Sequence, residues 1–292
     1  MASVQSYVEP KVVPTLDQVV RRIHEISTLP HIALRVMEVA NNPNAGAREL
    51  KEVMEGDAAL STRVLRCVNS SAYAVRTKIT NLQQAIAYLG IKQIRNLAMT
   101  ASVSRLFEKS DKVGAYCREG LWRHLVAVGV CARLAAMRLR VREFEDVFLA
   151  GLLHDIGLIL EDQHLHKPFV EVLKSLRKEV SLQEVETQQL GFDHTRLGEA
   201  IAQTWRFPEG AIDAIRHHHD SSSYGGSLAQ TVQCVELANF LCSAKGISSV
   251  GMHLVAFPRH AITALNLSKE DILVLAEDLD REIQSNQTLF QV

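Results

Sequence analysis

The pair His154-Asp155 lies in the middle of an otherwise apolar stretch, FEDVFLAGLLHDIGLIL, over residues 144–160. A helix that is apolar on every side is normally buried. Burying an ionised carboxylate beside an imidazole is costly unless each group finds a partner, and a metal cation serves both. Gly151 and Gly157 flank the pair about one helical turn away and allow a neighbouring helix, or an ion with its water, to approach. The stretch therefore predicts one buried helix with a polar centre.

Further histidines cluster around this pair in the sequence. Of the twelve histidines, eight lie between residues 124 and 219. Imidazole is the commonest metal ligand at neutral pH, and the helices of a bundle can direct such side chains at one point. Imidazole with carboxylate suits a divalent transition metal, Fe, Mn or Zn, as one or two ions. The candidate metal ligands are His124, His154, Asp155, His194, His218 and His219.

Such a site has a definite chemistry. A bound metal lowers the pKa of a coordinated water, which can then attack a phosphoester, and Asp155 is the candidate catalytic residue. The alternative is that these are core histidines whose ring nitrogens are satisfied by carbonyl and carboxylate groups. For any single histidine that alternative is the more common. The contiguous His154-Asp155 and His218-His219 pairs favour the metal site.

The composition limits the partners. Lys+Arg 32 against Asp+Glu 33 gives a net charge of -1, so neither nucleic acid nor an anionic membrane is expected as an obligatory partner. The five cysteines are odd in number and lack a CxxC pair, which favours free thiols in a reducing cytoplasm. The N-terminus shows no signal-peptide pattern, and uninterrupted apolar runs fall short of the ~20 residues of a membrane span. We expect a cytoplasmic protein.

The spacing of apolar residues is helical almost throughout, and no alternating β pattern is present. Asp57, Asn81 and Ser181 have the positions of helix N-caps. This predicts an all-α, multi-helix bundle. The charged segment 108–116 is the best internal boundary. We divide the chain into an irregular lead-in (1–14), an N-terminal helical lobe (15–112) and a second helical lobe (113–292), in which residues 246–292 carry no interpretable motif.

A second kind of site was considered at residues 47–69. Two short helices joined at Gly56-Asp57 resemble a helix-turn-helix, and the second would offer Arg63 and Arg66 to a DNA groove. Against this, Leu60 and its apolar neighbours form an ordinary core stripe, and the surrounding sequence is not basic. DNA binding is the weaker hypothesis.

The sequence resembles a known family, the HDOD domain ("HD-related output domain") of bacterial signalling proteins. The resemblance covers about residues 15–245 and rests on several motifs in the expected order, among them LPHIALRVMEVANNP, DAALSTRVLRCVNSSAY, FLAGLLHDIG and LGFDHTRLGEAIAQTWRFPEGAIDAIRHHH. It implies an all-α fold related to the HD phosphohydrolases and the HD-GYP cyclic-di-GMP phosphodiesterases. Many members are degenerate relatives of those enzymes and are interpreted as regulatory or interaction modules.

The resemblance also implies roles for individual residues. His124 matches the first histidine of the HD family, and His154-Asp155 match its HD pair. His194 and His218-His219 match the added histidines of the HD-GYP branch.

Several positions depart from the enzymes. Leu158 stands where HD-GYP enzymes have a lysine, and Gly120 stands where a glutamate ligand would precede the first histidine. Asn239 replaces the last aspartate, with Glu236 nearby. The HHE of the enzymes is HHD here, and SSSYGG replaces the stretch that ends in GYP. These changes favour retained metal binding over efficient hydrolysis.

Three functions follow. The favoured one is a bacterial signal-transduction module with a retained His/Asp metal site, acting through a signalling protein or a nucleotide ligand. The alternatives are a metal-dependent phosphohydrolase acting on a nucleotide or cyclic dinucleotide, and DNA binding by residues 47–69.

Overall fold

The structure, a computed structural model, describes residues 13–26, 31–42, 44–70, 73, 75–108, 112–177, 180–251 and 255–290. Most of the predicted lead-in, residues 1–14, lies outside this part. The described residues form α-helices: α1 Leu16–Ile26, α2 His31–Asn41, α3 Ala47–Glu55, α4 Ala58–Val68, α5 Leu82–Leu89, α6 Ile91–Val103, α7 Arg118–Arg138, α8 Phe144–Leu153, α9 Ile156–His164, α10 His166–Ser175, α11 Leu182–Leu190, α12 His194–Thr204, α13 Glu209–His217, α14 Ala229–Ala244, α15 Arg259–Ala264 and α16 Lys269–Ser285. Within the described ranges, the only β pairing is an isolated bridge between Val113 and Tyr116. The all-α prediction is confirmed.

The predicted caps set the helix starts. The side chain of Asp57 accepts from the amide of Leu60, and Asn81 accepts from that of Gln84. Ser181 forms a reciprocal capping box with its third helical residue. Each cap satisfies one of the amide groups that a helix start leaves without a partner.

Helix α7 is the centre of the packing and contacts α8, α14 and α16. By length and composition, α7 is long and apolar enough to span a membrane. A count of uninterrupted apolar residues does not detect this property. However, 72% of its most apolar window is buried inside the protein. That burial is what the core helix of a soluble domain shows.

The prediction of one continuous helix over 144–160 is wrong. Helix α8 ends at Leu153 and α9 begins at Ile156, with His154 and Asp155 in a turn between them. Asp155 has φ −103° and ψ 22°, outside helical geometry. Adjacent residues on a helix diverge by about 100°. The break removes that constraint and brings Asp155 Oδ2 to 3.3 Å from His154 Nε2.

The two glycines beside this turn are points of close helix contact. A Cβ on Gly151 would lie 2.8 Å from the Cα of Gly129 on α7, and one on Gly157 would lie 1.9 Å from the carbonyl oxygen of His194 on α12. Both separations are below the contact distance of real Cβ atoms. The expectation that small residues admit neighbouring helices is confirmed, and these contacts hold α7 and α12 against the turn.

The two predicted lobes are in contact at several places. Helix α1 packs against α12, α6 packs against α8, and the short turn Ser104–Phe107 packs against α7. The division at residue 112 remains a prediction, since the halves share their packing surfaces.

Candidate metal centre

The structure brings all six predicted ligands together. Helix α7 supplies one of them, the α8–α9 turn two, the start of α12 one, and the turn after α13 two. In chain order these are His124, His154, Asp155, His194, His218 and His219.

Asp155 is at the middle of the cluster. Its Oδ2 lies 3.3 Å from Nε2 of His154 and 3.8 Å from Nε2 of His124. Its Oδ1 lies 3.2 Å from Nε2 of His218 and 3.4 Å from Nε2 of His194. The donor atoms form two groups, each within 4.8 Å, and Asp155 belongs to both; His219 completes the second group. A bridging carboxylate between two sets of imidazoles is compatible with one ion or two.

The rings are held by their other nitrogen. Nδ1 of His124 donates to the carbonyl of Ile247 at 2.8 Å, and Nδ1 of His154 donates to that of Gly151 at 2.8 Å. His218 donates from Nδ1 to the carbonyl of Ile215 at 3.0 Å. A carbonyl can only accept, so the proton is on Nδ1 and Nε2 presents a lone pair to the centre. Metal-bound histidines usually have this arrangement.

Burial keeps the rings of His124, His218 and His219 neutral. It lowers the pKa of His124 and of His218 to about 4, and it lowers that of His219 as well. The carboxylate of Asp155 faces these rings, and its Oδ1 lies 3.4 Å from Nε2 of His194. The centre thus combines a carboxylate with imidazole lone pairs, the groups that hold a metal ion.

His194 has a different partner, which the sequence reading missed. Its Nδ1 and backbone amide both donate to Oε2 of Glu186, at 2.7 Å and 3.0 Å. Burial alone would lower the pKa of His194, but Glu186 and Asp155 raise it to about 9. The protonated ring can also donate from Nε2 to Nε2 of His219, 3.0 Å away. His194 is therefore the one ring of the cluster that carries a proton a metal would displace.

A second carboxyl group lies behind Glu186. Glu161 is fully buried, and burial together with the charge of Glu186 raises its pKa well above the usual value. Both oxygens of Glu161 and Oε1 of Glu186 have no hydrogen-bond partner among the described residues. A protonated Glu161 can donate to that Oε1, while Oε2 of Glu186 accepts from His194. The only sequence signal was an acidic residue following the apolar run at 156–160.

The donor set fits a divalent transition metal. Nε2 of His124, His154 and His218 and Oδ1 of Asp155 are buried with no hydrogen-bond partner among the described residues. Each such atom costs roughly 1–3 kcal/mol. These atoms are lone-pair donors that face one another, and a cation is the one partner that satisfies them all.

Two of the positions that depart from the enzymes are buried near this region of the fold. Leu158 is 1% exposed on α9, and Asn239 is 2% exposed on α14, a helix that packs against α7 and α8. Glu236 accepts from the backbone amide of Ser221 at 3.1 Å, so its carboxylate is already engaged. Gly120 lies in the first turn of α7 and donates its amide to Cys117 Sγ.

The helix-turn-helix segment forms the predicted helices α3 and α4. Its apolar stripe, including Leu60 and Val64, is buried in the core. The Arg63 guanidinium donates to the carbonyl of Ala101 at 3.2 Å and lies 3.8 Å from Glu108. DNA binding by residues 47–69 stays a prediction, and this geometry directs Arg63 towards α6.

Proteins of known structure share this fold over nearly the whole chain. An HDOD domain protein of unknown function from Geobacter sulfurreducens has 25% sequence identity and a TM-score of 0.76, covering 94% of this chain and 96% of that one. A candidate phosphohydrolase from Shewanella amazonensis SB2B has 21% identity and a TM-score of 0.71, covering 93% and 96%. A candidate metal-dependent phosphohydrolase from the same organism has 19% identity and a TM-score of 0.61, covering 91% and 97%. The last two show the fold alone.

Sequence comparison gives the same result. An uncharacterized protein of Treponema pallidum (strain Nichols) is 23% identical over 273 residues, which are 91% of this chain and 51% of that protein. The chain spans about half the length of that curated relative. The sequence model of the HDOD domain matches residues 26–221, more than half of the chain. The chain therefore belongs to the HDOD domain family.

Proposed function

We propose that this chain is a bacterial, cytoplasmic signal-transduction module whose His/Asp centre holds a divalent transition metal and which acts by binding a signalling protein or a nucleotide. One observation carries the proposal. Five of the six ligands are at most 3% exposed, and only His219 is partly open to solvent. A catalytic metal keeps a coordination position open to water and substrate, whereas a structural metal is enclosed by its ligands.

The departures from the enzyme pattern support the same proposal. The apolar side chain of Leu158 cannot contact a substrate phosphate as a lysine does. Asn239 offers an uncharged amide in place of a carboxylate. The module therefore keeps the groups that hold a metal and lacks groups that would bind and turn over a phosphoester.

The positive charge of the metal would hold together the four elements that supply the ligands: α7, the α8–α9 turn, α12 and the turn after α13. His154 and Asp155 orient one side of the centre, and His194, held by Glu186, orients the other. Fe, Mn and Zn are all compatible with this donor set. Because these four elements meet at the centre, ion binding would favour one arrangement of the bundle.

A metal-dependent phosphohydrolase is the second candidate. It is favoured by the membership of Asp155 in both donor groups, since a bridging carboxylate is what a two-metal hydrolase needs. Two proteins of similar fold also carry the description of phosphohydrolase. In this case Asp155 would hold the metal beside the substrate, which would enter past His219.

Elemental analysis of the purified full chain, paired with a phosphodiesterase screen under Fe, Mn and Zn, separates the two candidates. The module predicts stoichiometric metal, no hydrolysis of nucleotides or cyclic dinucleotides, and a lower melting temperature after chelation. With free ion at 100 times its Kd, the loss is about 2.7 kcal/mol. Metal-dependent hydrolysis that disappears in Asp155→Ala would overturn the module and establish the hydrolase.

A further inference from the structure

A cavity of about 170 Å³ lies where the two halves of the chain meet. Helices α4 and α6 form one side of it, and α7 with the C-terminal turn Gln287–Phe290 forms the other. Its polar walls come from Arg63, Arg66, Thr100, Ser104 and Thr288, and Trp122 contributes an aromatic wall. None of its lining residues belongs to the His/Asp centre.

The cavity is positively charged. Arg63 and Arg66 are three residues apart on α4, so they share a face of that helix. The nearest carboxylate to Arg63 is Glu108, at 3.8 Å, beyond hydrogen-bond distance. Among the described residues, Arg66 has no ion pair. The positive charge of the two guanidinium groups is thus offset by one carboxylate, that of Glu108.

The charged and unpaired polar groups of the lining are N–H donors. Arg63 Nη1 donates to the carbonyl of Ala101 and to Ser104 Oγ, which fixes the guanidinium plane at the rim. The hydroxyls of Thr100 and Ser104 already donate to helix carbonyls. Trp122 Nε1 is buried with no acceptor among the described residues. A ligand for this lining has to supply acceptors and negative charge.

The volume limits the size of that ligand. Pockets for drug-sized molecules measure roughly 300–1,000 Å³, and this cavity is smaller. A phosphate group suits both the size and the donors, because guanidinium groups bind its oxygens in a bidentate manner. We propose that this cavity is a binding site for a compact phosphate anion, either inorganic phosphate or the phosphate group of a small monoester.

The position of the cavity gives the ligand a route to the rest of the fold. Trp122 and His124 are two residues apart on α7, which places them about 200° apart around the helix. The anion cavity and the metal centre thus lie on opposite faces of one buried helix. Thr288 brings the C-terminal turn onto the cavity, so a bound phosphate also ties that turn to α4. A role as effector rests on the proposed regulatory function, whereas binding itself does not.

Titration calorimetry of the full chain with inorganic phosphate tests the site, with chloride at matched ionic strength as background. We expect saturable binding of one phosphate per chain. Arg66→Gln should weaken binding at least tenfold. Arg66→Lys, which keeps the charge but not the planar guanidinium group, should weaken binding less. The control is Arg48→Gln, which makes the same change in net charge at a side chain that is 91% exposed on α3; it should leave binding within twofold.

Further titrations identify the source of the phosphate and exclude the metal centre as its binding site. Glycerol phosphate should bind at least as tightly as inorganic phosphate. AMP should bind no more than tenfold more tightly than inorganic phosphate, and a larger gain in affinity would overturn the assignment of a compact ligand. Binding should persist in Asp155→Asn. Loss of binding there, absence of saturable binding, or equal weakening by Arg48→Gln overturns the site. If the chain holds metal and does not hydrolyse phosphoesters, that failure leaves the proposed module intact.

Discussion

The two polar regions on either side of α7 are built in opposite ways. At the His/Asp centre, lone pairs face one another, five of the six side chains are at most 3% exposed, and four of the five rings are held through Nδ1. At the junction cavity, the facing groups are N–H donors, and Arg66 is exposed. The first arrangement suits a cation that stays bound, and the second suits an anion that exchanges with solvent.

The difference shows how burial distinguishes a ligand that stabilises the fold from a ligand that can act as a signal. A group with almost no solvent access exchanges slowly and contributes to stability. A cavity between packed helices with an exposed arginine at its edge can fill and empty without unfolding the core. If both regions bind as proposed, changes at one should leave binding at the other largely intact.

The largest effect is expected for Asp155→Asn. The change keeps the volume of the side chain and removes the charge that both donor groups share, so metal affinity should fall by more than about 100-fold, or ~2.7 kcal/mol. Elemental analysis after dialysis should find almost no metal. The control is Asp220→Asn, an exposed carboxylate beside His219. Metal retained in Asp155→Asn would contradict the central position of this carboxylate.

The next effect is expected for Gly157→Ala. Its methyl would lie 1.9 Å from the carbonyl oxygen of His194, so α9 and α12 must move apart. We expect a loss of about 3 kcal/mol in the free energy of unfolding, with weaker metal binding and unchanged phosphate binding. Gly210→Ala is the control, because its nearest contact would be 3.5 Å. Denaturant unfolding measures both, and equal stabilities would contradict the close contact.

Glu186→Gln tests the support behind His194. Glutamine still accepts the Nδ1 proton but lacks the charge, and loss of such support typically weakens a metal site by roughly 10–100-fold. Competition with a chelator measures the affinity. The control is Glu184→Gln on the same helix, which preserves the capping box. If both variants bind metal alike, Glu186 has no role in the centre.

The smallest step, about tenfold for each pH unit, is expected in the pH dependence of metal affinity. Without metal, His194 has a pKa of about 9 and is protonated at neutral pH, whereas the pKa values of His124 and His218 are about 4. Metal binding then displaces one proton from His194. Affinity should rise about tenfold per pH unit between pH 6 and pH 8 and level off above about pH 9. A flat profile, or an unchanged slope in Glu186→Gln, would contradict this assignment.

Much of the site was readable from the sequence because its ligands are adjacent or lie beside helix signals. His154-Asp155 and His218-His219 are contiguous, and His194 follows a cap residue, Asp193. The helical spacing of apolar residues likewise predicted the all-α fold. These features depend on residues that are close together in the sequence, so a single stretch of chain is enough to predict them.

What the sequence did not predict depends on distant packing. The sequence around Glu186, VETQQL, is that of an ordinary solvated helix, and only folding brings it to His194. The break between α8 and α9 carries no proline, and the turn that replaces the helix places both His154 and Asp155 at the centre. Arg63 was read as a DNA contact because its neighbours on α6 lie about 40 residues away in the chain.

The decisive test of the metal centre is an anomalous difference map from crystals of the purified full chain, recorded at the absorption edges of Fe, Mn and Zn. We expect a peak beside Asp155, about 2.0–2.2 Å from the Nε2 atoms of its histidine neighbours. A map with no peak at this centre, from protein that elemental analysis shows to contain stoichiometric metal, would contradict it.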